Sequence, residues 1–340
     1  MKAIKFFAIT AMAAAMITSC SNEDELSQSN YPSDNIIRIT AGVNNAKTRA
    51  DESAGTPLKN PLSLTVVNKN TTDPVLAKKY TYVNQVFTKD ENEVWKCSET
   101  LLWQNDKQPV DIVAFAPAFD ENTFATVYDK NTRKFSGFSY SVADNQSTSS
   151  DNNDLLYNYT PSFVPGGTNL DENGKLSIQM NHAFCMIDII VTLGTEFNVD
   201  GIPTTSPITE VTLGGTKIEA NVNVTNGTDK VTASSTADAK DITATPGAFT
   251  KPENNDKEKS CISNFSCITV PQNVAANTFK VSLKAAGKVY EWTSATPVEL
   301  QSGYRYKLEL TMGNNVVLLK GGSITATEWK PGTGGSLETD

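Results

Sequence analysis

The chain has 340 residues, a formal net charge of -9, 15 Pro, 20 Gly, one His and five Cys. So acidic a chain lacks the basic footprint that nucleic acid demands, and nucleic acid is not among its expected partners. One imidazole, His182, excludes metal sites built from several histidines, and five scattered Cys without a C-x-x-C exclude a disulfide scaffold. The length suits two domains, and 39% apolar residues suffice for their cores.

In chain order, the first predicted element is a secretory signal over residues 1–19. Lys2 and Lys5 precede an apolar run from Phe6 to Ile17 that is too short to span a bilayer. Ile17-Thr18-Ser19-Cys20 resembles a lipobox, which implies cleavage before Cys20 and lipidation of its thiol. Residues 20–35 read as a lipidated tether, anchored to the outer membrane by its acyl chains. Its Ser21-Asn22-Glu23-Asp24-Glu25 is similar to acidic signals that route lipoproteins to the outer face of that membrane.

Downstream, short apolar or alternating runs between turn clusters predict strands. They fall at Ile36–Val43, Leu62–Asn68, Tyr80–Phe87, Val110–Ala116, Lys175–Gln179, Phe184–Leu193, Glu210–Leu213 and Ile218–Val224. Others are Ser266–Val270, Phe279–Ala285, Val289–Trp292, Tyr304–Leu310, Val316–Leu319 and Ser323–Trp329. Gly, Asn, Asp, Thr and Pro interrupt the pattern at Gly194–Pro207, dividing an N-terminal domain, 36–195, from a C-terminal one, 196–340. The fold class is all-β: two antiparallel β-sandwich domains in tandem. Asn145–Asn153 and Ala248–Ser260 read as long surface loops. The carboxylates of Asp144–Asp154 fit no EF-hand spacing, so neither metal nor cofactor is expected.

Several residues have readings of their own. Val110–Ala116 is apolar enough for a strand buried on both faces, stopped by Pro117. In the strand after Gly303, Tyr304, Tyr306, Leu308 and Leu310 share one face, and Arg305, Lys307 and Glu309 the other. His182 reads as structural. No G-x-S-x-G, H-E-x-x-H or phosphate-binding loop occurs, so no catalytic residue is assigned and a non-enzyme is expected. Past Cys20 the thiols are Cys97, Cys185, Cys261 and Cys267. Cys261 and Cys267, six apart, are the candidates for a disulfide across a hairpin-like loop, and Cys185 reads as a buried free thiol. Trp95, Trp103, Trp292 and Trp329 leave open a glycan-binding surface lipoprotein as the alternative.

Five patterns in order resemble the fimbrillin family of lipoproteins that build type V pili. They are Ile36–Val43 with Lys47-Thr48-Arg49-Ala50; Trp103-Gln104 with Val110–Pro117; Asp154-Leu155-Leu156-Tyr157; Asn181-His182-Ala183-Phe184; and Leu300–Leu310 with Ile324 and Trp329. The resemblance implies transthyretin-like, Greek-key domains and a surface location. It also implies cleavage between Arg49 and Ala50 by an Arg-specific protease. That cut would release the first strand and leave a groove for a strand from a neighbouring pilus subunit. Val316, Val317, Leu318, Leu319 and Ile324 are candidates either for that donor or for the last strands of their own domain. Stalk, tip and anchor positions all stay open, as does a host or bacterial surface ligand.

Overall fold

The structure, a computed structural model, describes residues 29–43, 58, 60–148, 154–225, 230–313, 317–319 and 324–328. The first half holds β1 (Ile39–Val43), β2 (Leu62–Asn68), helix α1 (Pro74–Lys79), β3 (Tyr82–Lys89), β4 (Trp95–Cys97) and β5 (Val110–Ala116). Helix α2 (Glu121–Val127), β6 (Tyr128–Asp129), β7 (Lys134–Phe135), β8 (Phe138–Ser141), β9 (Leu156–Phe163) and β10 (Leu176–His182) follow. The second half runs through β11 (Cys185–Leu193), β12 (Ile208–Lys217), β13 (Glu219–Val222), β14 (Val231–Ala233), β15 (Ala239–Thr243) and β16 (Thr245–Thr250). It continues with β17 (Ile262–Thr269), β18 (Gln272–Val274), β19 (Lys280–Ala285), β20 (Lys288–Thr293) and β21 (Val298–Leu300). Last come β22 (Tyr304–Met312), β23 (Val317–Leu319) and β24 (Thr325–Glu328).

The fold is all-β. A seven-stranded sheet runs β1-β10-β9-β5-β2-β3-β4, and a second runs β16-β17-β11-β22-β23 with β24 also on β22. A four-stranded sheet, β15-β12-β19-β20, and a three-stranded one, β14-β13-β8, complete the larger layers. Pairing between strands is antiparallel except at β1–β10 and β11–β22, where it is parallel. The sheets divide between His182 and Cys185, ahead of the expected break at Gly194–Pro207. Cys185–Leu193 buries every second side chain among β17 and β22, so its apolar face belongs with the strands that follow it. Conversely, β8 of the first half pairs with β13 of the second, and one continuous apolar core passes between the halves.

The double-sided strand at Val110–Ala116 forms as its composition dictates. Val113 and Phe115 face the shared core, where Phe115 meets Phe119 at 4.9 Å and Phe138 edge-on at 5.7 Å. Ile112, Ala114 and Ala116 face a second core with Leu62, Leu64 and Val66. Helices α1 and α2 are one or two turns long and start where Asp73 and Asp120 accept hydrogen bonds from the first-turn N–H groups. Among the described residues no helix is long and apolar enough to cross a membrane.

Two predicted surface loops are tied down by buried amides. Ala248–Thr250 belongs to β16, and the buried Asn198 donates to Lys257 O and Lys259 O at 3.0 and 2.9 Å. In Asn145–Asn153, Gln146 is fully buried. It donates to Ala143 O and Ile268 O and accepts from Ile268 N–H, so its polar atoms are satisfied without water. The rest of that loop, 149–153, lies outside the described residues.

The expected Cys261–Cys267 disulfide is corrected. Both thiols are free and buried. Cys261 directly precedes β17 and Cys267 lies within it, and six residues of extended chain span about 20 Å, against the ~7 Å limit between bridged Cα atoms. Cys185 is also a buried free thiol, donating to Thr269 O at 3.2 Å, and burial pushes the Cys267 thiol up to about 12.

Candidate strand-acceptor site

Among the described residues β1 forms one edge of the seven-stranded sheet and pairs with β10 alone, in register Ile39 with Leu176, Ala41 with Ile178 and Val43 with Met180. Period-two alternation sends Ile37, Ile39 and Val43 inward, where each is buried. They cover Leu176, Ile178 and Met180 of β10, and Leu58, Leu101 and Trp103 complete this core. Removing β1 would expose a row of β10 side chains that are at most 4% accessible in the intact protein.

The chain entering β1 is fixed as well. Asn30 N–H donates to Gly167 O and its side-chain amide to Leu170 O, so residues 29–35 of the predicted tether pack on the 166–174 loop. Tyr31 packs against the second core, and burial pushes its phenol up to about 12. Arg38 and the Ile36 N–H hold the Asp34 carboxyl down at about 2. Cys20, Arg49 and Ala50 lie outside the described residues. The sequence places Arg49 six positions beyond the last residue of β1.

At the other end of the chain, both candidate donor segments lie along one edge of β22. Val317 pairs with Met312 and Leu319 with Leu310; farther along, Thr325 pairs with Lys307 and Glu328 with Tyr304. In this structure Val317–Leu319 and Thr325–Glu328 are therefore last strands of their own sheet. Ile324 is half-buried against the shared core, while Val316 and Trp329 lie outside the described residues. Beneath them, Arg305 on β22 grips Asp188 on β11 through both Nε and Nη2. This bidentate pair is mostly buried, so Arg305→Ala is expected to cost about 1.5–3 kcal/mol in urea denaturation, with Arg305→Lys intermediate.

His182, the last residue of β10, has a partner that the sequence reading did not assign. Its Nδ1 lies 2.5 Å from Asp154 Oδ2, with the two side chains 6% and 12% exposed. Asp154 and His182 lie in two of the patterns singled out above, but nothing in their spacing couples them. The next two residues are also clamped: Ser302 donates to His182 O and Ala183 O, and Gly303 N–H donates to Phe184 O. The described tryptophans form no platform. Trp103 is buried against Phe163, Trp292 sits half-buried on Phe279, and Trp95 lies half-buried beneath Lys89.

A family model described as fimbrillin-like matches residues 48–329. Among solved structures, a candidate cell adhesion protein from Bacteroides ovatus aligns with a TM-score of 0.59 at 15% identity, covering 87% of this chain and 97% of its own. Another from Bacteroides uniformis aligns at 0.54 and 16%, covering 88% of this chain and 100% of its own. The tip fimbrial protein Mfa3 from Porphyromonas gingivalis, truncated at its C-terminus, aligns at 0.50 and 10%, covering 86% and 99%. At these identities the likeness is one of fold. No curated protein matches the sequence. The family match begins at Thr48, beside Arg49, and takes in every described strand from β2 onward, so the chain is a member of the fimbrillin-like family.

Proposed function

We propose that the protein is a cell-surface pilus subunit, lipidated at Cys20, that assembles by proteolysis-triggered donor-strand exchange. The single observation that carries this reading is β1: an edge strand with one partner among the described residues, closing a buried apolar row and followed in the sequence by Thr48-Arg49-Ala50. An Arg-specific protease cutting after Arg49 frees the lipid anchor and β1 together. A strand from a neighbouring subunit then takes the vacant lane beside β10. Main-chain hydrogen bonds give it register, and alternate apolar side chains give it affinity. Such growth is head-to-tail and open-ended.

Val316–Leu319 and Ile324 with its neighbours are the segments of this chain that could donate. The pairing of Val317–Leu319 and Thr325–Glu328 to β22 supports a subunit that accepts a strand while keeping its own C-terminal strands docked, as a tip or anchor would. Its ligand is then a host or bacterial surface. The rival glycan-binding reading finds no coplanar exposed aromatics to support it among the described residues.

Purified precursor treated with an Arg-specific protease is expected to yield a product beginning at Ala50 by N-terminal sequencing. A first cut elsewhere overturns the processing site. Ladders on a gel and fibres by electron microscopy identify a stalk subunit, whereas clean cutting with monomers alone identifies a tip or anchor.

A further inference from the structure

The seven-stranded sheet comes close to closing on itself, because its two end strands, β1 and β4, approach one another. At one end the closure is made: Ile36 bridges Leu102, Ile37 N–H donates to Leu101 O at 2.8 Å, and Trp103 N–H donates to Asn35 O at 2.8 Å. Beyond this seam β1 and the β3–β4 hairpin part, leaving an open cleft of about 540 Å³ between Arg38–Gly42 and Glu93–Lys96.

Both walls are strand edges with no pairing strand among the described residues. Leu176 N–H donates to Arg38 O, so Arg38, Thr40 and Gly42 direct their peptide groups at β10. The N–H and C=O groups of Ile39 and Ala41 point the other way and find no partner among the described residues. On the opposite wall Val94 O accepts from Asp90 N–H, so Val94 faces β3 and Trp95 turns its peptide groups outward. Two antiparallel edges facing a common gap present main-chain donors and acceptors that another extended chain can pair with.

We propose that this cleft takes an extended, acidic peptide strand of a partner protein, bound to the intact chain without cleavage. The walls set its side chains. Val94, 46% exposed, with half-buried Trp95 and Ala41, offers apolar contact. Four cations, Arg38, Lys89, Lys96 and Lys175, line the cleft against one carboxylate, Glu93. Three of them are already paired, Arg38 bidentately with Asp34, Lys89 with Glu93 and Lys96 with Asp90, while Lys175 has no ion-pair partner among the described residues and is the cation left for a ligand carboxylate. Alternating Glu and Val side chains suit such a lining. This site adds a strand on the outer edge of β1, whereas donor-strand exchange replaces β1 itself, so either can fail without the other.

The probe is a fluorescein-labelled nonapeptide of alternating Glu and Val, titrated into the full uncut chain and followed by anisotropy. Its controls are the same peptide with Lys for Glu and one with a central Pro. The acidic peptide is expected to bind at least tenfold more tightly than the Lys peptide. The Pro peptide is expected to lose binding, and Lys96→Glu with Lys175→Glu to weaken the acidic peptide about tenfold. Amide exchange at Ile39 and Ala41 should slow on binding. Equal binding of the charge-reversed peptide overturns the proposal. No binding does so too, and leaves the cations as guards against edge-to-edge association. Binding that appears only after Arg-specific proteolysis assigns the probe to the lane of β1 and also overturns it.

Discussion

Stripping residues up to Arg49 from the cleaved protein is expected to remove most of the stability of the seven-stranded sheet, and a peptide spanning Asn35–Val43 to restore it. Ile37, Ile39 and Val43 are 4%, 4% and 8% exposed, and full burial of such a side chain contributes about 1.5–3 kcal/mol. Three of them give roughly 5–9 kcal/mol, an upper figure because the unfolded chain already buries some apolar surface. That is comparable with the whole stability of a typical domain, about 5–15 kcal/mol. A nicked protein that still holds β1 should melt like the precursor, since the cut lies beyond the last pair, Val43 with Met180. Once β1 is displaced, the melt should fall and amide protection along Leu176–Met180 should collapse; the added peptide should reverse both. A stripped protein with an unchanged melt and protected β10 amides would falsify the idea that β1 completes the sheet. Rescue by the β1 peptide but by no segment of a second copy would separate acceptance from donation.

Side-chain alternation made most of the long strands legible. Leu62–Asn68 and Val110–Ala116 read as strands because a run of apolar residues between turn signals has few other uses. Tyr304–Leu310 and Phe184–Leu193 read so because their alternation names a buried face. Short strands without alternation were illegible. Trp95–Cys97, Gln272–Val274 and Val298–Leu300 are three residues each, and β9 carries Pro161 and a register shift against β5. Both helices are too short to show a 3.6-residue period, although Asp73-Pro74 is a readable start.

At the site, the alternation of Ile36–Val43 located β1 but not what it touches. That β1 runs parallel to β10, and that its outer edge faces β4, depends on contacts across more than fifty residues, which no local pattern encodes. Gly194–Pro207 holds turns and a short 3-10 helix at Thr195–Asn198. The sheets change earlier because Cys185–Leu193 is bonded on both sides by strands from the second half. The proposed disulfide failed for a related reason: a spacing of six suggests a loop only when the residues between do not form one strand.

Substituting either member of the Asp154–His182 pair is expected to be the most damaging single polar change. The two side chains are nearly buried, they sit where β10 gives way to β11, and Asp154 Oδ1 has no other partner among the described residues. Removing one partner of a buried hydrogen-bonded pair leaves the other desolvated and unsatisfied, at a cost of about 1–3 kcal/mol and more where the group left behind is charged. His182→Ala and Asp154→Ala should each lower the unfolding free energy by that amount, moving the urea midpoint down without changing the slope. Asp154→Asn keeps the shape and a hydrogen-bonding group, and should cost less. If the pair acts as a unit, the double Ala variant should be scarcely worse than either single one, and the coupling measures the contact directly. Additive losses would mean that each residue stabilises its own strand independently. In that case the clamp of Ser302 and Gly303 on His182–Phe184, rather than the Asp154–His182 contact, would fix the angle between the two halves.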